Sequence, residues 1–496
     1  METLPFEVIS AIFSDGLPTF STSEVHRDNP TMIYVRHQDL IDYLNLITSI
    51  SHDMRQIALQ SPHLWTHIVW GDNAEFLWGP ENRYTNYKRG LELTRVTAYL
   101  ERSKNALLNI TFDGTHSSKI RCEEAWRILR PQLSRCRRLF LMMPCYPRPR
   151  GYEVVGLSSL DDVCLPLPNT MESLETLIIS GDLESDDSSV FLSETSASAP
   201  RLRDFRIDGS ETLTQLLHRV ISPNSSPIST LSLVDTVEIL GFSQAMESMS
   251  HTLRKLKLSW DCGFMSHSFS GNPIEFPVLE ALEVHAYWDF SFAEYFVTPS
   301  LRNLSLTRRF HTRPHDLPSA TGYPAPSYIH HCMWPHLTSL ALDPVRSWRV
   351  SWLNTVFFEL LRANPEVQEL DCKMTPTQAM NFTRFLGLSS PSSSASREVS
   401  STVEEPQQTP VPMLQRVVLR RWFVHTREAQ LNDGIRPEDL KSLLGARPNL
   451  YIVLDLDLTR MTALEAKSLM KDFGARLDLK DLCSYFHSRQ SLWPDI

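Results

Sequence analysis

The sequence predicts an α/β protein: an N-terminal three-helix module, then a solenoid of short repeats with a curved parallel sheet, then a helical C-terminal cap. Three observations predict this order. Apolar residues recur at helical spacing near the start, a short leucine pattern returns at a nearly constant interval through the middle, and helical spacing resumes near the end. A chain of 496 residues also exceeds what one hydrophobic core usually supports, which favours repeats or several domains.

The first predicted helix lies in residues 3–16, TLPFEVISAIFSDG. Thr3 can cap it, Pro5 suits its first turn, and Asp15-Gly16 supplies a stop signal. The stretch HQDLIDYLNLITSIS and the residues after it continue the helical spacing until Ser61-Pro62. Three short helices form only a marginal core by themselves, so this module requires a partner surface.

The repeats follow the pattern L-x-x-L-x-L, as in SLETLII, TLRKLKL and SLRNLSL. Five copies begin at positions 174, 202, 228, 253 and 279, with separations of 28, 26, 25 and 26 residues. These intervals are typical of leucine-rich repeats. Further copies begin at 301 and 337, less regular ones near 367 and 414, and a first copy at Cys136.

Each L-x-L core predicts a short strand whose leucines point inward, and stacked copies form a parallel sheet. The intervening positions then face the concave side and are candidates for binding a substrate protein. They are Arg206, Lys257 and Glu283 in one row, and Lys255, Asn303 and Glu369 in an adjacent row. The alternative for each such charge is an ordinary solvated surface.

Four regions are predicted from these patterns. Residues 1–70 form the helical module, 71–130 a helical connector, 131–456 the solenoid and 457–496 the cap. Within the solenoid, residues 389–412 are rich in Ser, Pro and Gln and are predicted to be disordered.

Composition argues against several classes of function. A net charge of -10 and a pI near 5.9 disfavour binding to nucleic acid or to an anionic membrane, and no segment has the length of a membrane span. The eight cysteines form no C-x-x-C pair, and the 17 glycines form no phosphate-binding motif. We therefore expect a cytoplasmic or nuclear protein with no cofactor, and chance loop residues rather than a metal site in the histidine-rich stretch 311–336.

The first 68 residues resemble an F-box of the divergent kind found in large fungal, basidiomycete-type families. The resemblance lies in Leu4-Pro5 with Glu7, Ile9, Ile12 and Phe13, followed by ISHDMRQIALQSPHLW. Two positions depart from the family pattern, in which Ser51 would be Cys and Met54 would be Trp.

The resemblance implies docking onto the Skp-family adaptor, and through it onto the cullin of a cullin-RING (SCF-type) ubiquitin ligase. The residues that it assigns to this contact, or to its immediate support, are Leu4, Pro5, Ile9, Ile12, Phe13, Leu44, Ile47 and Met54. The alternative is that they form the inward face of a small helical subdomain, since apolar stripes at helical spacing usually belong to a core.

The resulting hypothesis is a non-enzymatic substrate adaptor, in which the head holds the ligase and the repeats hold a protein substrate. The runner-up is a leucine-rich-repeat scaffold with no role in ubiquitin transfer. A third hypothesis, ranked below both, places an unrecognised enzyme site in the insertion 307–336.

Overall fold

The structure is a computed structural model that describes residues 5–17, 31–71, 85–114, 119–142, 167–180, 199–208, 227–234, 242–259, 273–285, 295–307, 333–342, 357–387, 411–421, 434–455 and 458–480. The chain divides into two compact units, Met1–Thr252 and Leu253–Ile496. Unit 1 contains the helical head and the first strands, and unit 2 contains the remaining strands.

The head consists of three helices, α1 (Phe6–Asp15), α2 (Thr31–Ile50) and α3 (His52–Gln60), followed by a 3₁₀ turn (Pro62–Trp65). Ser51 caps the start of α3: its extended backbone separates α3 from α2, and its Oγ accepts the Met54 N–H at 3.1 Å. The Tyr43 hydroxyl donates to the Phe13 carbonyl at 3.0 Å and so joins α2 to α1. These contacts produce the predicted three-helix arrangement.

Trp65 links the head to the next helix, α4 (Thr85–Ser103). Its Nε1 donates to the Ala58 carbonyl at 2.9 Å, and its ring meets Tyr99 edge-on with centroids 5.0 Å apart. The Arg102 guanidinium lies 4.5 Å from the ring centroid, within range of a cation–π contact. Trp65, at the end of the head, therefore packs against α4.

In the described residues of unit 1, six parallel strands pair in chain order. They are β1 (His67–Gly71), β2 (Leu108–Asp113), β3 (Cys136–Met142), β4 (Thr176–Ser180), β5 (Asp204–Asp208) and β6 (Thr230–Val234). Helices α5 (Lys119–Leu129), extended by a 3₁₀ turn (Arg130–Arg135), and α6 (Phe242–Met249) accompany them.

Unit 2 also adds strands in chain order. Its parallel sheet contains β7 (Lys255–Ser259), β9 (Ala281–His285), β11 (Asn303–Thr307), β12 (Ser339–Leu342), β13 (Glu369–Met374), β14 (Arg416–Arg421), β15 (Tyr451–Asp455) and β16 (Leu477–Lys480). The two-residue strands β8 (Ile274–Glu275) and β10 (Phe296–Val297) pair with each other. The helices are α7 (Phe358–Ala363), α8 (Pro376–Gly387), α9 (Pro437–Ala446) and α10 (Ala463–Phe473).

Polar side chains satisfy carbonyls near the ends of the helices, where the helix itself supplies no donor. The Arg135 guanidinium donates to the Leu100 carbonyl in the last turn of α4 at 3.3 Å. It also donates to the Ala106 carbonyl, just after the end of α4, at 2.9 Å. Arg476 does the same for α9, reaching the Leu444 carbonyl at 2.9 Å. Each arginine immediately precedes a strand, so one side chain joins the end of a repeat's helix to the start of a later strand.

The predicted α/β class and the parallel, sequential strands are confirmed in the described residues. The repeat leucines are buried as the pattern requires, for example Leu177, Leu231, Leu256 and Leu304. The sheet nevertheless extends beyond the predicted solenoid boundaries: β1 and β2 precede residue 131, and β16 lies within 457–496. Those strands, HIVWG, LNITFD and LDLK, lack the full leucine pattern. Residues 389–410 of the predicted disordered insertion lie outside the described residues.

Candidate protein-binding surfaces

The residues assigned to adaptor binding divide into buried and accessible groups. Phe13, Leu44 and Ile47 are buried, and together with Leu40 and Ala58 they form the interior of the head. Pro5 and Ile12 are exposed, Ile9 and Met54 are half-buried, and Leu4 lies outside the described residues. The first group holds the module together, and the second can contact a partner directly.

Further apolar side chains of the head are exposed and were not in the predicted set. Phe6 and Val8 on α1, and Leu46 and Ile50 on α2, join Ile12 with exposed fractions between 39% and 60%. Val8 and Ile12 are four residues apart, as are Leu46 and Ile50, so each pair occupies one side of its helix. That spacing is the sequence signal that identifies them.

A partner that covers these five exposed side chains would gain a large free energy of binding. Fully covering one large apolar side chain contributes roughly 1.5–3 kcal/mol. Five large exposed apolar side chains on two helices of one small module are a candidate interaction surface.

The substrate-binding candidates of unit 2 share one side of its sheet. Strand register aligns Lys255, Ala281, Asn303, Ser339 and Glu369 in one row, and Lys257, Glu283, Ser305, Ala341 and Asp371 in the next. Because side chains alternate along a strand, these rows point away from the buried leucines. We call this side the outward face of unit 2, and five of the six predicted candidates lie on it.

A chain of polar contacts crosses three strands of this face. Lys257 Nζ lies 2.9 Å from Glu283 Oε1, and His285 Nε2 lies 2.5 Å from the same oxygen. Thr307 Oγ1 lies 2.7 Å from His285 Nδ1. With Glu283 ionised, His285 Nε2–H donates to the carboxylate, and in the neutral ring Nδ1 accepts the Thr307 hydroxyl. In the neutral ring, these contacts favour the tautomer with the hydrogen on Nε2.

The pKa of Glu283 reflects this setting. Burial alone would raise it, but the hydrogen bond from His285 and the charge of Lys257 prevail and lower the pKa from 4.5 to about 2. Glu283 is therefore ionised throughout the physiological range, and its charge is balanced on the face itself.

A second group of ion pairs lies on β13 and β14. Arg420 forms a short contact with Asp371, and Arg416 lies 3.9 Å from Glu369. Val418, between the two arginines on β14, pairs in register with Val453 and is buried with it against Tyr451. Glu369 was among the predicted candidates, but Arg416, Arg420 and Asp371 were not, because the copies near 367 and 414 are less regular.

Arg206 differs in its surroundings from the other five candidates. It lies on β5 in unit 1, in register with Ile178 on β4 and Ser232 on β6, and both of these are buried. The same row contains Val69 and Phe140, which are also buried. We call the side of the unit 1 sheet that carries this row the outward face of unit 1. The row also contains the half-buried Thr111, so it mixes buried apolar side chains with polar ones.

His67 lies at one edge of the unit 1 sheet and pairs in register with Asn109. Burial, followed by the charges of Arg137 and Arg138, lowers the pKa of His67 from 6.5 to about 4. His67 is therefore neutral at physiological pH. An Asn109 Nδ2 contact at 3.3 Å holds its ring.

The described residues show neither a metal-binding cluster nor a membrane-spanning helix. Among the described residues, no three His, Cys, Asp or Glu side chains are grouped to hold a metal ion, and most of the histidine-rich stretch 311–336 lies outside them. None of the described helices combines the length and apolar character needed to cross a bilayer.

Comparison with known proteins gave no relative: no family model matches the chain, and no curated protein is significantly similar to it in sequence.

Proposed function

We propose that this protein is the substrate-recognition adaptor of a cullin-RING (SCF-type) ubiquitin ligase. The head docks on a Skp-family adaptor, and the repeat strands hold a protein substrate. Catalysis then comes from the proximity of the substrate to a conjugating enzyme carried elsewhere in the complex.

One observation carries the proposal: five large apolar side chains on α1 and α2 are exposed while their buried neighbours already complete the interior of the head. The same segment resembles the F-box. Its departure at Ser51 is compatible with the fold, because that side chain caps α3. The half-buried Met54 can fill an apolar pocket through its flexible side chain.

The experiment measures binding of the purified full chain to a recombinant Skp adaptor by biolayer interferometry. The test variant is Ile12→Asp with Leu46→Asp, which places charges on exposed positions of α1 and α2. The matched control is Ile120→Asp with Leu464→Asp, which alters equally large and even more exposed side chains on α5 and α10.

We expect the test variant to weaken binding at least about tenfold, because two apolar contacts would be replaced by buried charges, while the control binds as wild type does. Circular dichroism must show both variants folded. Absence of binding by the wild type, or equal loss in both variants, would reject the adaptor role. A leucine-rich-repeat scaffold with no ubiquitin role would then be the better assignment.

The hydroxyl–imidazole–carboxylate order of Thr307, His285 and Glu283 also occurs in acyl-transfer enzymes. We assign it to recognition instead, because Lys257 shares the carboxylate oxygen that holds the imidazole. Labelling of Thr307 by a fluorophosphonate, detected by mass spectrometry, would contradict this assignment.

A further inference from the structure

We infer that the outward face of unit 2, between β7 and β14, binds an acidic segment of the substrate protein. This inference rests on the proposed function, in which the repeat strands hold the substrate, and it adds the chemical class of the bound segment. Charge, side-chain size and the pairing of the carboxylates support it independently.

The charges on this face contrast with those of the whole chain. Outward positions from β7 to β14 carry five cations and three carboxylates, although the complete chain has a net charge of -10. The cations are Lys255, Lys257, Lys373, Arg416 and Arg420, and the carboxylates are Glu283, Glu369 and Asp371. Beyond β14 the basic part ends, since Asp455 and Asp478 follow on β15 and β16. A locally basic face on an acidic protein favours an acidic partner and steers its approach.

Each of the three carboxylates already faces a cation on the same surface. Glu283 contacts Lys257 and His285, Asp371 contacts Arg420, and Glu369 lies near Arg416. Each ammonium or guanidinium group has several donors, and a single contact uses only part of them. The face can therefore offer more donors than its own carboxylates accept, which suits carboxylate groups from a partner.

Side-chain size gives the face a trough between its charged edges. Ser305 on β11, and Ser339 and Ala341 on β12 are short, whereas β9 carries Glu283 and His285 on one side and β13 carries charged side chains on the other. With about 4.8 Å between neighbouring strands, β9 and β13 lie about 14 Å apart, and a helix with its side chains is about 10–12 Å wide. The trough is thus wide enough for a single helical segment.

The test uses the full-length protein and two labelled peptides of equal length, one helical and rich in Glu and Ala, the other rich in Lys and Ala. Fluorescence anisotropy measures their binding to the wild type and to Lys255→Glu with Arg416→Glu. The matched control is Lys467→Glu with Lys471→Glu, which reverses two exposed cations on α10, away from this face.

We expect the acidic peptide to bind the wild type and the control, and to bind the test variant about tenfold more weakly. Binding should weaken when the salt concentration rises from about 0.05 M to about 0.5 M, because surface charges are then screened. No binding of the acidic peptide, preference for the lysine peptide, or equal loss in both variants would overturn the inference.

Failure of this inference is separable from failure of the proposed function. The same charge variants are tested for Skp-adaptor binding, which depends on the head and should be unchanged. Adaptor binding without acidic-peptide binding would refute only the substrate chemistry. Acidic-peptide binding without adaptor binding would refute the ligase role and leave an acidic-segment receptor.

Discussion

The central rows of the two outward faces have the same strand geometry, but they begin with different side chains. In unit 1 the central row contains Val69, Phe140 and Ile178, all buried, whereas in unit 2 it begins with Lys257 and Glu283, whose side chains remain 22% and 33% exposed. The unit 1 row therefore begins with buried apolar side chains, whereas the unit 2 row begins with a partly exposed ion pair. A repeat pattern therefore specifies how the strands stack, but it does not specify what packs against their outward face.

The largest expected effect is a loss of folding stability when a polar side chain replaces an apolar one in the central row of unit 1. Ile178→Asn should destabilise unit 1 by about 3–5 kcal/mol, because it removes a buried apolar side chain and buries an amide group that has no hydrogen-bond partners. Ala341→Asn, at the corresponding row of unit 2, should cost less than about 1 kcal/mol, because that position is partly open. Hydrogen exchange of peptides spanning β4 and β12 reports the opening of each region separately. Similar costs at both sites would remove the contrast between the faces.

The two types of face could have been distinguished from the sequence. Strands buried on both sides have continuous apolar runs, as in LFLM of β3 and LII of β4. Strands with one polar face alternate, as in KLKLS of β7 and ALEVH of β9. The leucine pattern alone treats these cases alike, and so Arg206 was grouped with candidates that lie in a different environment.

A second prediction uses pH to separate the units. Folding lowers the pKa of His67 from 6.5 to about 4. As the pH falls through this range, His67 is protonated in the unfolded chain at a higher pH than in the folded chain. Stability of unit 1 should therefore be complete above pH 6.5 and decline as the pH falls towards 4, by about 2 kcal/mol. Urea unfolding at several pH values measures this loss.

The control for this prediction is His67→Gln, which keeps a polar side chain but cannot titrate. Its stability should change less than that of the wild type between pH 6.5 and 4. An identical pH dependence in the two proteins would show that another group governs the acid sensitivity of unit 1.

Unit 2 should respond in a lower pH window. The pKa of Glu283 falls from 4.5 to about 2 on folding, so its contribution is present above pH 4.5 and lost as the pH falls towards 2. Glu283→Gln should destabilise unit 2 by about 1 kcal/mol at neutral pH, a modest amount because the side chain is partly screened by solvent. Hydrogen exchange of β9 peptides at neutral pH provides the measurement, and an unchanged opening free energy would contradict the role given to the network.

The sequence predicts the candidate site only in part, because some of its features depend on how helices and strands pack together. The helical spacing of the head identified Phe13, Leu44 and Ile47, but it could not separate them from Ile12, because exposure depends on how three helices pack. Likewise, strand alternation placed Lys257 and Glu283 on one face, whereas their link to Thr307 depends on the register between β9 and β11. Patterns within one element are readable from sequence, and relations between elements require the structure.

The smallest expected effect compares two ion pairs on the same two repeats. Arg254 and Glu280, at the start of β7 and β9, lie 2.6 Å apart, but their side chains are 59% and 40% exposed. Lys257 and Glu283 lie 2.9 Å apart and are much less exposed. Distance alone would rank the first pair higher, yet solvent screening and side-chain entropy weaken an exposed pair.

Double-mutant cycles with Arg254→Gln and Glu280→Gln, and with Lys257→Gln and Glu283→Gln, measure both coupling energies under the same conditions. We expect less than about 0.5 kcal/mol for the exposed pair and about 1 kcal/mol for the pair in the network. Raising the salt concentration should reduce the first coupling more than the second. Equal couplings would mean that burial on the outward face of unit 2 does not strengthen its charges, and the partner contacts proposed there would then be as weak as those of any solvated surface.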